Sequence, residues 1–396
     1  MEEKEIGLYI HMPFCKQKCY YCDFVSYPNR YEMVERYIKC LKSEIVQYAN
    51  ENRIMHEHGL EPKFIIKTIY IGGGTPSSID ELYILNVMET IKANFEIDEE
   101  AEITIEVNPG TASKEKLKTY REAGINRISI GLQAVQDRLL KSIGRIHNYS
   151  DFENTFEWAR EVGFDNINVD LMLALPNQTL DDLKESVNTI ANLKPEHISV
   201  YSLIIEENTK MEKMVQDGIA ILPTDEEERA MYWFVKDYLE KHKYKHYEIS
   251  NFAKPGFESK HNTDCWKQKE YIGIGVAAHS YLNNIRYTNA NNIDEYINKM
   301  NTLDNIDIRK IEGIYQVEEI QNNEEKKKEY MLLGLRKIQG IQISEFKAKY
   351  VDNPLFIYRK EIQKLVDEQL LIVDGDFIRL TSRGIDLANL VWEEFV

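Results

Sequence analysis

At 396 residues and 43% hydrophobic content the chain can bury a substantial core, and one large domain plus a small one is the expected organisation. A net charge of −17 repels phosphate and argues against a nucleic-acid backbone or an anionic membrane surface as the main partner. Five cysteines, three of them clustered, make no secreted disulfide framework, and with no signal-peptide pattern in Met1–Glu5 and no apolar run of membrane-span length a cytoplasmic protein is expected.

Strand and helix signals then alternate along the chain. A first strand, Gly7–Met12, runs into Cys15, Cys19 and Cys22, and a helix over Tyr31–Tyr48 follows, in which Cys40 reads as a buried free thiol. Strand Thr68–Ile71 ends in Gly72-Gly-Gly-Thr-Pro76 before helix Glu81–Phe95. Strand Glu102–Val107 contains Glu106 and leads to helix Lys114–Ala123, and strand Arg127–Leu132 is followed by Gln133 and helix Phe152–Val162. Strand Asn166–Leu173 carries Asp170 and precedes helix Leu180–Leu193, and strand His197–Ile204 precedes helix Glu226–His242. Six βα units imply a parallel sheet with helices outside. A doubly wound sheet satisfies the same alternation. The unusual residues decide between them: they collect at the C-terminal ends of successive strands, where barrels place their chemistry.

The cysteine run carries the most chemistry. Three thiolates in eight positions can bind a metal together, but structural zinc wants four protein ligands and usually draws its thiols as two short pairs. Iron–sulfur clusters are normally held by four cysteines, so a cubane held by three leaves one iron open to chelate a substrate. Three consecutive glycines after the second strand remove every Cβ there, which lets a ligand approach the backbone.

Further along, Gly273-Ile-Gly275-Val-Ala-Ala278 has the G-x-G-x-x-A form of a dinucleotide fingerprint. It follows the polar Trp266–Tyr271 rather than a strand, and a Rossmann site is rejected. His56 and His58 read as solvated residues of a polar connection. Asn289–Asp307, rich in Asn and Asp, reads as the approach to a domain boundary. Beyond it, helices over Asn322–Ile338, Ser344–Tyr350 and Phe356–Gln369 precede a hairpin, Leu370–Val373 and Phe377–Leu380, with Asp374-Gly-Asp376 at its turn. That order suggests a small winged-helix-like α+β module in a packing or lid role. The division is placed at 1–300 and 301–396.

The run Tyr9-Ile-His-Met-Pro-Phe-Cys15-Lys-Gln-Lys-Cys19-Tyr-Tyr-Cys22-Asp-Phe24 resembles the cluster loop of radical S-adenosylmethionine (SAM) proteins. Within them the chain resembles, over essentially its whole length, the branch of oxygen-independent coproporphyrinogen III oxidases and their shorter heme-chaperone relatives. The resemblance implies an α/β fold, a partial (β/α)6 barrel of radical SAM type open on one side. It implies a [4Fe–4S] cluster on Cys15, Cys19 and Cys22, with SAM on the open iron and reductive cleavage to a 5′-deoxyadenosyl radical. Lys16 and Lys18 are then expected to offset part of the cluster's charge.

For SAM the resemblance implicates Gly73, Gly74 and Thr75 beside the methionine amino group. Glu106 and Arg145 would meet the ammonium and carboxylate, Asp170 the ribose hydroxyls, and Gln133 would add a polar contact. Tyr9 and Tyr21 are expected beside the cofactor. The segment His261-Asn-Thr-Asp-Cys265-Trp266 resembles the H-N-x-x-Y-W signature of heme-handling members, with Cys265 where Tyr is usual. His261 and Cys265 are therefore candidate heme ligands, and His11 is a second candidate for substrate contact.

The oxidases of this branch carry an N-terminal extension and a further cysteine two positions after the third ligand. Here Phe24 occupies that position, and only Ile6–Phe14 precede the cluster as structured sequence. The expected function is therefore a radical SAM protein that binds heme and transfers it to acceptor proteins. The alternatives are SAM-dependent oxidative decarboxylation of coproporphyrinogen III and a heme-degrading radical SAM methyltransferase. Heme, heme-accepting proteins and an electron donor are the partners this implies, with membrane proteins contacted only at the periphery.

Overall fold

The computed structural model of the chain describes residues 3–302 and 315–395. Six parallel strands form its centre: β1 (Glu3–Met12), β2 (Lys63–Gly73), β3 (Glu96–Val107), β4 (Arg127–Gln133), β5 (Ile167–Leu173) and β6 (His197–Ser202). They pair in chain order, and helices Val34–Glu57, Glu81–Asn94, Lys114–Glu122, Tyr149–Glu161, Leu180–Leu193 and Asp225–Lys241 follow them one by one. Six shorter strands continue the sheet: β7 (Lys245–Glu248), β8 (Asn251–Ala253), β9 (Tyr271–Ile274), β10 (His279–Leu282), β11 (Ile285–Asn289) and β12 (Tyr315–Ile320). The full order is β12-β11-β10-β9-β1-β2-β3-β4-β5-β6-β8-β7, an open arc rather than a closed barrel.

Strand alternation divides the two faces of this arc. On β1, Leu8, Ile10 and Met12 are fully buried against the helices, while Tyr9 and His11 point to the concave side. The same parity puts Tyr70, Glu106, Ser129, Asp170 and Tyr201 on the concave face of the neighbouring strands. The helix side is a continuous apolar core, in which each fully buried Leu or Ile contributes roughly 1.5–3 kcal/mol. The concave side is polar and hydrogen-bonded, which suits a cavity for a charged ligand.

Helix Leu180–Leu193 begins where the sequence places it because Thr179 and Asp182 form a capping box. Helix Tyr149–Glu161 starts three residues before the expected Phe152, set by a second such box between Asn148 and Asp151. Helix Val34–Glu57 runs well beyond the expected Tyr48, so His56 lies in its last turn rather than in a polar connection, with Nδ1 3.3 Å from the Glu61 carbonyl. Cys40 is a buried thiol, as expected.

The edge strands correct three further expectations. The first half of the Gly273–Ala278 run is itself strand β9, paired parallel to β1, and another strand rather than a helix follows it. A dinucleotide phosphate therefore has no helix N-terminus there. Part of the Asn-rich stretch is helix Ile293–Asn301, capped by Asn292, and the rest, from 303, lies outside the described residues. Strand β12, which was not expected, extends the large sheet from beyond residue 300.

C-terminal to it, helices Asn323–Gly334, Ile343–Tyr350 and Arg359–Asp367 pack with a three-stranded sheet of Ile341–Gln342, Phe377–Leu380 and Leu371–Asp374 around a second core. The expected hairpin turns at Asp374–Phe377, and the helix expected over Phe356–Gln369 is two, Pro354–Ile357 and Arg359–Asp367. The module joins the barrel through Ile249 N–H to Arg336 O (3.1 Å) and Ile338 N–H to Tyr247 O (3.1 Å).

Candidate functional site

The cysteine loop crosses the C-terminal end of the six strands. Its entry is fixed by a parallel pairing of Phe14–Cys15 with Tyr27–Pro28, and Val25 inside the loop is held from below by His11. The His11 Nε2 lies 2.9 Å from the Val25 carbonyl, which can only accept, so Nε2 carries the proton. The other nitrogen, Nδ1, then accepts from the Tyr9 hydroxyl at 2.9 Å. Burial lowers the His11 pKa to about 4, in keeping with a neutral ring. Both nitrogens are thus committed within the protein and neither is offered to a substrate.

One cleft is lined by Cys15, Cys19, Cys22, Tyr21, Gly73, Gly74, Thr75, Glu106, Gln133, Arg145 and Asp170. The structure thus brings together every expected cluster and cofactor residue except Tyr9, which sits one layer deeper against His11 and Tyr70. The glycines have a further reason beyond ligand approach. A Cβ on Gly72 would fall 2.9 Å from the Glu106 carboxyl carbon, one on Gly73 would enter the His11 ring, and one on Gly74 would sit 2.7 Å from the Met12 carbonyl oxygen. The bare strand end is what lets these protein groups close around the site.

Glu106 accepts from the Tyr70 hydroxyl (2.9 Å) and the Gly73 N–H (3.1 Å). Burial pushes its carboxyl up to about 7, opposed by the Tyr70 bond and reinforced by the charge of Asp170. Asp170 accepts from Ser129 (3.2 Å) and Asn168 (2.7 Å), and burial raises its pKa as well. Gln133 sits at a bulge with φ of 76°, a left-handed conformation costly for a residue with a Cβ, and its Oε1 accepts from the Tyr201 hydroxyl at 3.1 Å. Arg145 donates through Nη1 to Cys19 Sγ at 3.5 Å and through Nη2 to the Gly131 carbonyl, leaving its buried Nε unpartnered. Burial opposes its charge, but Tyr21 and Cys19 beside it hold the guanidinium above its ordinary pKa.

Asn108, Ser129 and Tyr201 are among the lining residues that escaped the sequence reading. Asn108 donates to Thr75 Oγ1 at 2.9 Å and lies two residues after Glu106. Ser129 and Tyr201 share the concave parity of Asp170 in the adjacent strands, so alternation was the available signal. The two heme candidates lie elsewhere. His261 is buried on helix Lys260–Trp266, with Nδ1 2.8 Å from Thr68 Oγ1 and its ring against Tyr70. The Cys265 thiol on the same helix is pushed up to about 12 by burial. Their neighbours Thr263, Asp264 and Trp266, but neither candidate, line a cleft of about 940 Å³ between the strand N-termini and the C-terminal module.

The cysteine loop fits an iron–sulfur cluster better than a single ion. Among the described residues no three His, Cys, Asp or Glu side chains converge enough to hold one metal ion. A cubane is larger, and its thiolates bind separate irons. All three cysteines are free thiols on one cleft. Burial raises Cys15 and lifts Cys22 to about 11, with the charge of Cys19 adding to both, so three thiolates coexist here only against compensating cations.

The fold and this site define a radical SAM protein: residues 9–190 match the radical SAM superfamily, and residues 321–387 match the HemN C-terminal domain. A solved structure of similar fold is the coproporphyrinogen III oxidase HemN of Escherichia coli, a radical SAM enzyme. It has a TM-score of 0.83 at 21% identity over 99% of this chain and 90% of that one. Among curated proteins, the chain is 35% identical over its full length to heme chaperone HemW of Lactococcus lactis, of which it covers 98%. It is 38% identical to heme chaperone HemW of Bacillus subtilis over 98% of each. The chain belongs to the HemW family of radical SAM proteins. Membership implies a [4Fe–4S] cluster and SAM as cofactors. No helix among the described residues is long and apolar enough to cross a membrane.

Proposed function

We propose that this protein binds heme and transfers it to acceptor proteins, with a [4Fe–4S] cluster on Cys15, Cys19 and Cys22 and SAM beside it. The observation that carries this reading is the end-to-end similarity to proteins named heme chaperone HemW. Phe24 supports it: where the related oxidases have a further cysteine, this chain has a phenyl group that is 61% exposed at the cleft.

The cluster and SAM, when bound, supply one-electron chemistry and a radical source. The chain's own residues orient them. Arg145 takes the methionine carboxylate of SAM, Glu106 and the Gly73–Thr75 segment take its ammonium, Asp170 holds the ribose hydroxyls, and Gln133 and Tyr21 complete the wall. Tyr9 acts from behind, through His11 and the Val25 carbonyl, on the shape of the cysteine loop. An electron donor, a cytoplasmic setting and peripheral contact with membrane proteins belong to the same reading. So does a division near residue 300 between the barrel and the C-terminal module.

His261 and Cys265 are the heme-ligand candidates of this reading. His261 is buried and Cys265 half-buried, so ligation at His261 requires helix Lys260–Trp266 to move from the sheet. Titration of the cluster-loaded protein with heme is expected to give a stable Soret band. His261→Ala combined with Cys265→Ala is expected to shift or abolish it while cluster absorbance stays. Equal heme binding by the double variant rejects this site and leaves the function standing; no heme binding by wild type rejects the function.

A further inference from the structure

A line of hydrogen bonds crosses the polar side of the barrel from its floor to the cofactor cleft. At the floor, the Tyr247 hydroxyl lies 2.7 Å from His197 Nε2. His197 Nδ1 lies 2.6 Å from Asn168 Oδ1, and Asn168 Nδ2 lies 2.7 Å from Asp170 Oδ1, the carboxylate on the cleft. The directions of these bonds are determined from the Asp170 end. A carboxylate accepts, so the Asn168 NH2 faces Asp170, and its second contact, 2.7 Å to Ser129 Oγ, agrees. Asn168 Oδ1 then accepts, from Ser199 Oγ at 3.1 Å and from His197 Nδ1, which must carry the proton. His197 Nε2 is left as an acceptor, and the Tyr247 hydroxyl donates to it. Every donor points toward Asp170.

We infer that His197 and Tyr247 are positioning residues for the cofactor site: the Tyr247 hydroxyl, which accepts from the Ser259 N–H at 3.3 Å and donates to His197 Nε2, holds the ring with its Nδ1–H on Asn168 Oδ1, and that bond helps hold the amide that aims the Asp170 carboxylate. His197 is fully buried, burial and the nearby charge of Arg127 hold its pKa far below the ordinary value, and no carboxylate among the described residues contacts the ring, so the neutral form persists. Without the Tyr247 hydroxyl the ring is free to take the other tautomer. A lone pair on Nδ1 would then oppose Asn168 Oδ1 and push the amide off its line to Asp170. Tyr247 also accepts, through its backbone carbonyl, the Ile338 N–H of the C-terminal module. The first member of the line is thus anchored where the module docks on the barrel floor.

The inference rests on the reading of Asp170 as the acceptor for ribose hydroxyls. The experiment is therefore built on a ratio, the dissociation constant of the 2′,3′-dideoxyribose analogue of S-adenosylhomocysteine divided by that of S-adenosylhomocysteine, measured by calorimetry on the full-length, cluster-loaded protein. Wild type is expected to prefer the ribose-bearing ligand by ~10-fold, the loss expected for hydrogen bonds to a charged group. Asp170→Asn is expected to bring the ratio toward one. Tyr247→Phe, which removes one oxygen far from the cleft, is expected to lower the ratio several-fold with cluster content unchanged, and His197→Gln is expected to do the same. A ratio unchanged in Asp170→Asn overturns the reading of Asp170. A ratio that falls in Asp170→Asn but not in Tyr247→Phe overturns the relay, as does a uniform loss of affinity for both ligands in Tyr247→Phe. If His197→Gln fails to fold, Tyr247→Phe decides alone.

Discussion

Replacing Cys15, Cys19 and Cys22 together by Ala is expected to abolish the iron–sulfur absorbance of the reconstituted protein. The three thiols share one cleft, no disulfide engages them, and the two remaining cysteines lie apart from them: Cys40 is buried against the helices and Cys265 lies on helix Lys260–Trp266. The protein therefore offers no fourth thiol to the loop. His11, the imidazole beneath the loop, has both nitrogens hydrogen-bonded. Absorbance and iron content, measured after anaerobic reconstitution, check the expectation. A cluster retained in the triple variant, or stoichiometric zinc in anaerobically purified wild type, contradicts it.

Arg145→Ala is expected to weaken SAM binding by one to two decades, the loss of a charge-assisted contact costing about 1.5–3 kcal/mol. The guanidinium is half-buried in the cleft wall and anchored to the Gly131 carbonyl, where a glycine is needed because a Cβ would fall 2.5 Å from Nη2. Its approach to Cys19 means that the variant also removes a hydrogen bond to the Cys19 sulfur, but none of the three cysteines is lost, so cluster content should hold. Lys is not expected to rescue binding, since a single ammonium cannot span Cys19, Gly131 and a ligand carboxylate as a planar fork does. Unchanged SAM affinity by calorimetry would place Arg145 outside the cofactor wall.

Much of this arrangement was legible in the sequence because two signals coincide. Alternating strands such as Ile128–Leu132, whose Ile128, Ile130 and Leu132 pack under the helices, mark the sheet, and the unusual residues at the strands' C-terminal ends mark the site. The edge of the sheet was harder to read. Strands β9 to β11 are four or five residues long and carry glycine, histidine and arginine, too short and mixed for periodicity to register. Asn292 and Asp294, part of the Asn- and Asp-rich stretch read as the approach to a boundary, are the cap and first turn of helix Ile293–Asn301. The concave face resisted for a different reason. His197, Ser199 and Tyr201 alternate as a half-exposed strand would, but here they face a polar interior, and only the three-dimensional pairing reveals Asn168 and Asp170 beside them.

The most direct test of the functional reading offers both substrates to one anaerobic, cluster-loaded preparation with SAM and a reductant. With heme followed by an apo heme protein, the account predicts a Soret-absorbing complex that passes its heme to the acceptor. With coproporphyrinogen III, it predicts no measurable protoporphyrinogen IX. Decarboxylation of coproporphyrinogen over multiple turnovers would contradict it and assign the chain the oxidase chemistry instead.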